Sequence, residues 1–275
     1  MILALRLVAG AFVAVWAILL FGVIDLATAL SWREGWEESL VLEASWGALF
    51  TFFMVVPLLV VAVRPGRYAD AALWSGVTTV SLIGGAIITA DATTLWLALA
   101  AVVTGGIVLA LGLAGARRSG LPRPGRPGVQ PSWLLGALAL GGLPLWSAYA
   151  ASAASVPPGA PTPYISVAFD HWPVQAAFGI AVALASVIAV VFVEARTLAV
   201  CAAALSAVVL GVVMALSQEL PVATESPLWC IGAVLWGALL ALGLHAAPFT
   251  GFSPAQASAA ASAPNAERPP EGGRS

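Results

Sequence analysis

The stretch from Thr197 to Ser217 is TLAVCAAALSAVVLGVVMALS, 21 residues without a charged side chain. A bilayer has a hydrocarbon core about 30 Å thick, and an α-helix rises about 1.5 Å per residue, so about 20 apolar residues are enough to cross it. Lipid offers no hydrogen bonds to a bare backbone, so a crossing segment of this kind must be a helix. This stretch therefore predicts a transmembrane helix.

The rest of the chain repeats the same pattern. Of the 275 residues, 61% are hydrophobic and 9% are charged, whereas a soluble domain carries about 25% charged residues. The predicted spans are 5–29, 44–63, 71–90, 94–115, 133–152, 173–194, 197–217 and 228–246. Their apolar runs are continuous and do not alternate in polarity, which favours helices over strands. The sequence predicts an all-α, polytopic transmembrane helix bundle of about eight spans.

Arginine placement predicts the orientation of these spans, because cytoplasmic loops carry an excess of basic residues. The chain has no lysine, which amid abundant alanine, glycine and proline is typical of a GC-rich bacterial genome. Ten of its eleven basic residues precede the first span, follow an even-numbered span or lie in the tail; the exception is Arg33. We therefore expect a bacterial cytoplasmic membrane protein with both termini in the cytoplasm.

The first span also resembles a signal peptide, since Ala27-Thr28-Ala29 offers a small-x-small cleavage pattern. Its apolar run, residues 7–24, is longer than the usual hydrophobic region of about 7–15 residues. An uncleaved first helix is the favoured interpretation, and cleavage would leave seven spans with the remaining topology unchanged.

Composition divides the chain into four segments. Residues 117–132 (RRSGLPRPGRPGVQPS) are predicted to be a flexible cytoplasmic linker between spans one to four (1–116) and spans five to eight (133–248). The Ala/Ser/Pro-rich tail, 249–275, is predicted to be disordered.

The two halves also share short sequence matches. The run LALGL at 109–113 recurs at 240–244, 131 residues later. This spacing predicts two parallel four-helix repeats, an arrangement found in transporters. Chance similarity in a chain rich in leucine, alanine and glycine is the alternative.

Two carboxylates are the main candidates for a functional site. Asp25 lies seven residues before Trp32, near the predicted outer end of the first span, and Glu43 begins the second span. Ionisable groups inside a membrane are functional candidates by default. If these two face one another, they could share a proton or bind a cation, because close carboxylates cannot both ionise cheaply in a low dielectric. The alternative is that each reaches interfacial water separately.

Further candidates lie in the predicted outer loops. Residues 32–40 (WREGWEESL) place Trp32, Trp36 and Leu40 on one helical face, which suits an interfacial anchor. The other face carries Glu34, Glu37 and Glu38, which could instead attract a cationic ligand. Asp170 and His171 lie at the mouth of the sixth span and could join this set. Nothing in their spacing demands a metal, so no metal site is predicted.

Several functional classes lack their motifs. The sequence has no phosphate-binding loop, no H-E-x-x-H and no G-x-S-x-G, so no catalytic residue and no cofactor is predicted. A net charge of −2 does not favour nucleic-acid binding. Two hypotheses lead, and a membrane enzyme is third because no nucleophile–base pair is visible. The first is a small transporter or permease-like protein with an acidic outer opening. The second is a non-catalytic partner subunit or assembly factor that binds another membrane protein or a second copy of itself in the bilayer.

Overall fold

The structure, a computed structural model, describes residues 1–31, 40–122, 128–156, 171–217 and 226–246. The helices in these ranges are α1 Ile2–Ala14, α2 Gly22–Leu30, α3 Leu40–Phe50, α4 Val56–Val63, α5 Tyr68–Thr89, α6 Leu95–Arg118, α7 Trp133–Ala154, α8 Trp172–Val191, α9 Arg196–Leu216 and α10 Pro227–Ala246. The predicted tail, 249–275, and part of the predicted linker, 123–127, lie outside the described residues.

Eight segments of the described chain are long and apolar enough to cross a membrane. They are Ile2–Leu19, Leu40–Val63, Pro65–Thr89, Ala92–Arg118, Trp133–Ala154, Trp172–Val191, Arg196–Leu216 and Pro227–Ala246. The predicted all-α bundle with eight spans is thereby confirmed, and the chain is a multi-pass integral membrane protein.

Spans one to four and spans five to eight, here called the first and second units, pack extensively against each other. In the first unit, spans one to four, α2 packs on α3, α1 on α4 and α6, and α5 on α4 and α6. In the second unit, spans five to eight, α8 packs on α7 and α9, and α10 packs on the same two helices. The units meet where α8 contacts α3 and α5, and where α9 contacts α3. Spans two, three, six and seven therefore form the centre of the bundle.

Close contacts within the two units match at a constant spacing. A Cβ added at Gly105 would lie 2.7 Å from Cβ of Ser75, and one added at Gly237 would lie 3.1 Å from Cβ of Ala207. Gly237 and Ala207 are each 132 residues beyond Gly105 and Ser75, close to the spacing of the sequence matches. Gly112 and Gly243 of the matched runs instead meet Tyr68 and Leu135, which are not equivalent in the two halves, so the duplication stays a prediction.

The first two spans are irregular. After α1 the chain makes a π-helical turn, Val15–Leu19, and then breaks at Phe21, whose φ of 59° is left-handed. This conformation costs a residue with a side chain roughly 1–2 kcal/mol. The expectation of one continuous helix over 5–29 is wrong at this point. A second π-helical turn, Thr51–Val55, divides α3 from α4.

Candidate site at the α2–α3 end of the bundle

The two predicted carboxylates lie together where α2 packs on α3. Asp25 is in the first turn of α2, and Glu43 is in the first turn of α3. A Cβ added at Gly47 would meet the backbone nitrogen of Leu26 and lie 2.7 Å from its Cα, so the two backbones touch here. Glu43 shares a helical face with Gly47, four residues away, and Asp25 precedes Leu26. The carboxyl groups of Asp25 and Glu43 are accordingly within electrostatic range of one another.

Burial makes this pair unusual. Glu43 is only 4% exposed, and Asp25 is half-buried. An acidic side chain costs about 2.5–3.5 kcal/mol at the centre of a membrane helix on insertion scales, which is an upper bound for this pair near one end of the bundle. Two such groups in a low dielectric cannot both be charged cheaply. The chemistry that this arrangement suits is the uptake of one proton or one small cation between the two carboxyl groups.

An indole joins this pair to the second unit. Trp46, one turn after Glu43, places its ring centroid 4.9 Å from that of His171, the residue that precedes α8. The Nε1 of Trp46 donates a 2.9 Å hydrogen bond to the carbonyl oxygen of Leu20, the last residue before the break in the first span. Neighbours three residues apart on a helix are about 5–6 Å apart at Cβ. Glu43 and His171 therefore lie beside one indole, which also bonds the backbone just before the break that precedes Asp25.

Four predicted site residues cannot be placed. Glu34, Glu37, Glu38 and Asp170 lie outside the described residues. Within the described ranges, no group of three or more histidine, cysteine, aspartate and glutamate side chains could hold a metal ion. The structure thus brings together the carboxyl groups of Asp25 and Glu43, and it places the imidazole of His171 against Trp46.

Two features of the site were not predicted from sequence. Gln175 is 3% exposed, and its backbone N–H donates a 2.9 Å hydrogen bond to the carbonyl oxygen of His171. It was detectable, since it is the first polar side chain in the apolar run 173–194. The break at Phe21 had one weak signal, the glycine that follows it at position 22.

Two grooves in the described part of the bundle are apolar. One, about 610 Å³ in volume, lies between α7, α8 and the end of α5, and is lined by residues such as Ile88, Leu143 and Ala183. The other, about 510 Å³, follows the first span past its break, from Ala14 to Ile24. Neither is lined by a charged side chain. Asp25 and Glu43 line neither groove.

Comparison with protein-family models, with curated proteins and with solved structures finds no match to this chain.

Proposed function

We propose that this protein is a small transporter or permease-like protein that takes up a proton or a monovalent cation at the Asp25–Glu43 pair. The observation that carries the proposal is the burial of Glu43, which is 4% exposed and lies beside a second carboxyl group. An ionised side chain is unfavourable in a membrane. A proton or cation held between the two carboxyl groups offsets that free-energy cost.

The backbone around the pair supports the same function. Transporters bind coupling ions beside discontinuous helices, whose interrupted turns expose backbone groups. The first span is interrupted at Phe21, four residues before Asp25, and the π-helical turns of spans one and two contact each other. Turns of this kind occur frequently at functional sites.

A flux assay tests this function. We expect purified protein in liposomes to carry a proton or monovalent-cation current, recorded with an enclosed pH or ion indicator under an imposed gradient. Asp25→Asn keeps the side-chain volume but cannot exchange a proton, so the flux should fall by roughly tenfold or more. Glu43→Gln should act in the same direction.

Asp91→Asn is the matched control. Asp91 lies at the same predicted face, and its carboxylate accepts a 2.8 Å hydrogen bond from the backbone N–H of Thr93. Asparagine removes the same charge and keeps an acceptor there, so flux should be unchanged. A wild type with no flux above empty liposomes would indicate the alternative, a partner subunit or assembly factor. Equal flux in Asp25→Asn and Asp91→Asn would contradict uptake at the Asp25–Glu43 pair.

We also propose a bacterial cytoplasmic membrane location with both termini in the cytoplasm, supported by the arginine distribution. Reporter fusions after residues 66, 122 and 250 should give a cytoplasmic signal, and fusions after residues 36, 91, 160 and 222 should give a signal from the other side. A periplasmic signal from residue 122 would contradict this orientation.

A further inference from the structure

Four arginines lie at the end of the bundle where α1 begins and where α4 and α6 end. Arg6 is in the second turn of α1, Arg64 follows α4, and Arg117 and Arg118 are the last two residues of α6. All four are exposed. A guanidinium group stays protonated in proteins, so these residues carry four permanent positive charges. We call them the arginine cluster.

The packing of α1 against α4 and α6 brings the cluster together. The Nη2 of Arg6 donates a 3.5 Å hydrogen bond to the carbonyl oxygen of Val63, the residue just before Arg64. A Cβ added at Gly115, in the last turn of α6, would lie 3.6 Å from Cγ of Met1. The start of α1 therefore lies between Arg64 and the arginine pair that ends α6.

Contacts between two loops fix the outer side of this arrangement. The hydroxyl of Tyr68, at the start of α5, donates a 3.3 Å hydrogen bond to the carbonyl oxygen of Pro122. A Cβ added at Gly66 would lie 3.0 Å from Cγ of Pro122. The loop that contains Arg64 and the chain that follows Arg118 are therefore held side by side.

Two carboxylates of the described residues lie at this end of the bundle, and neither pairs with the cluster. The first, Asp70, forms an ion pair with Arg67, and it is the one ion pair among the described residues. No arginine of the cluster therefore has its charge neutralised by a carboxylate in that part of the chain.

The second carboxylate, Glu194, is bound to the segment before α7. Both of its carboxylate oxygens accept a hydrogen bond from the backbone N–H of Gly128, at 3.0 and 2.9 Å. In the same segment, the N–H of Gln130 donates a 3.2 Å hydrogen bond to the carbonyl oxygen of Val191, at the end of α8. Arg67 donates to the carbonyl oxygen of Glu194 and so leaves the cluster's charge unchanged.

Apolar surface that the protein leaves uncovered adjoins the cluster. Leu3 and Leu7 are 67% and 64% exposed, and Val63 is 63% exposed. Residues three and four apart share a helical face, so Leu3, Arg6 and Leu7 lie on one side of α1. Because α1 belongs to a membrane span, this side combines a positive charge with a surface for acyl chains. A soluble anion would complement only the charge, whereas a phospholipid complements both.

We propose that the arginine cluster binds an anionic phospholipid of the bilayer. Its phosphate lies against the guanidinium groups of Arg6 and Arg64, and its acyl chains lie along Leu3, Leu7 and Val63. Basic sites between transmembrane helices bind anionic headgroups in this way, and the planar guanidinium group matches phosphate oxygens in pairs. The interaction is independent of ion uptake at the Asp25–Glu43 pair.

Native mass spectrometry of the purified full-length chain tests this proposal. The protein is titrated with phosphatidylglycerol, which is anionic, or with phosphatidylcholine of the same acyl chains, which has no net charge. We expect phosphatidylglycerol to bind roughly tenfold or more tightly than phosphatidylcholine. Arg6→Gln combined with Arg64→Gln should weaken phosphatidylglycerol binding about tenfold or more and leave phosphatidylcholine binding unchanged.

Arg268→Gln combined with Arg274→Gln is the matched control. It removes the same two charges from the chain but takes them from the tail, so phosphatidylglycerol binding should equal that of the wild type. Inorganic phosphate, which has no acyl chains, should not displace the lipid at equal concentration.

Three results would overturn the proposal. They are equal wild-type affinity for the two lipids, equal weakening in the cluster and tail variants, and displacement by inorganic phosphate, which would indicate a soluble anion. Should Arg6→Gln with Arg64→Gln fail to fold, as judged by gel filtration, Arg117→Gln with Arg118→Gln replaces it. These two exposed residues end a helix, and the same selective weakening is expected; unchanged binding there would contradict the cluster.

Discussion

Replacing Gly47 with leucine should leave no folded bundle, and replacing it with alanine should lower the free energy of unfolding by about 1–3 kcal/mol, the usual cost of overpacking a core. A Cβ at this position would meet the backbone nitrogen and Cα of Leu26, atoms that cannot rotate out of the way. The backbones of α2 and α3 must then separate, which also moves Asp25 away from Glu43. Gel filtration of detergent-solubilised protein and thermal melting provide the measurement.

Gly76→Ala is the control for this experiment. Gly76 lies on α5, and a Cβ there would have no neighbouring atom within 4 Å. Alanine is favoured over glycine in a helix by up to about 1 kcal/mol, so the melting temperature should be equal to or above that of the wild type. If Gly47→Ala melts like Gly76→Ala, the direct backbone contact between α2 and α3 is wrong.

The spans could be predicted from sequence because length and apolar content alone meet the physical requirement for crossing a bilayer. The spans in the structure begin or end a few residues away from the predicted bounds; the predicted span 44–63, for example, begins at Leu40. The break in the first span was not predicted, since its one local signal is Gly22 and glycine occurs inside many of the other spans. The break is set by tertiary contacts, including the hydrogen bond from Trp46 to the carbonyl oxygen of Leu20.

The candidate site was predictable in part for a related reason. Asp25 and Glu43 stand out because charge is rare in apolar spans, and the short connection between spans one and two favours their proximity. The contact of Trp46 with His171 joins residues 125 positions apart in the chain. No local sequence pattern predicts a contact over that separation.

The backbone contacts of residues 128–132 were missed for a different reason. Proline and glycine in 117–132 indicate only that a helix is absent there, whereas the bonds of Gly128 and Gln130 depend on the position of the α8–α9 loop.

Binding of a ligand between the carboxyl groups of Asp25 and Glu43 is the central claim, and thermal stability tests it without requiring transport. A ligand that binds only the folded protein stabilises it by about 2.7 kcal/mol at 100 times its dissociation constant. The melting temperature of the wild type should therefore depend on monovalent cation concentration or on pH. Asp25→Asn removes the charge at nearly constant volume, and because a buried acid costs about 2.5–3.5 kcal/mol, this variant should be no less stable than the wild type.

The most direct measurement is the melting temperature of purified wild type, Asp25→Asn and Asp91→Asn across a series of sodium, potassium and lithium concentrations, each repeated from pH 5 to pH 8. We predict that at least one cation, or the change in pH, shifts the melting temperature of the wild type and of Asp91→Asn, and that Asp25→Asn loses this shift. Equal responses of all three proteins to every cation and to pH would contradict a binding site at the Asp25–Glu43 pair.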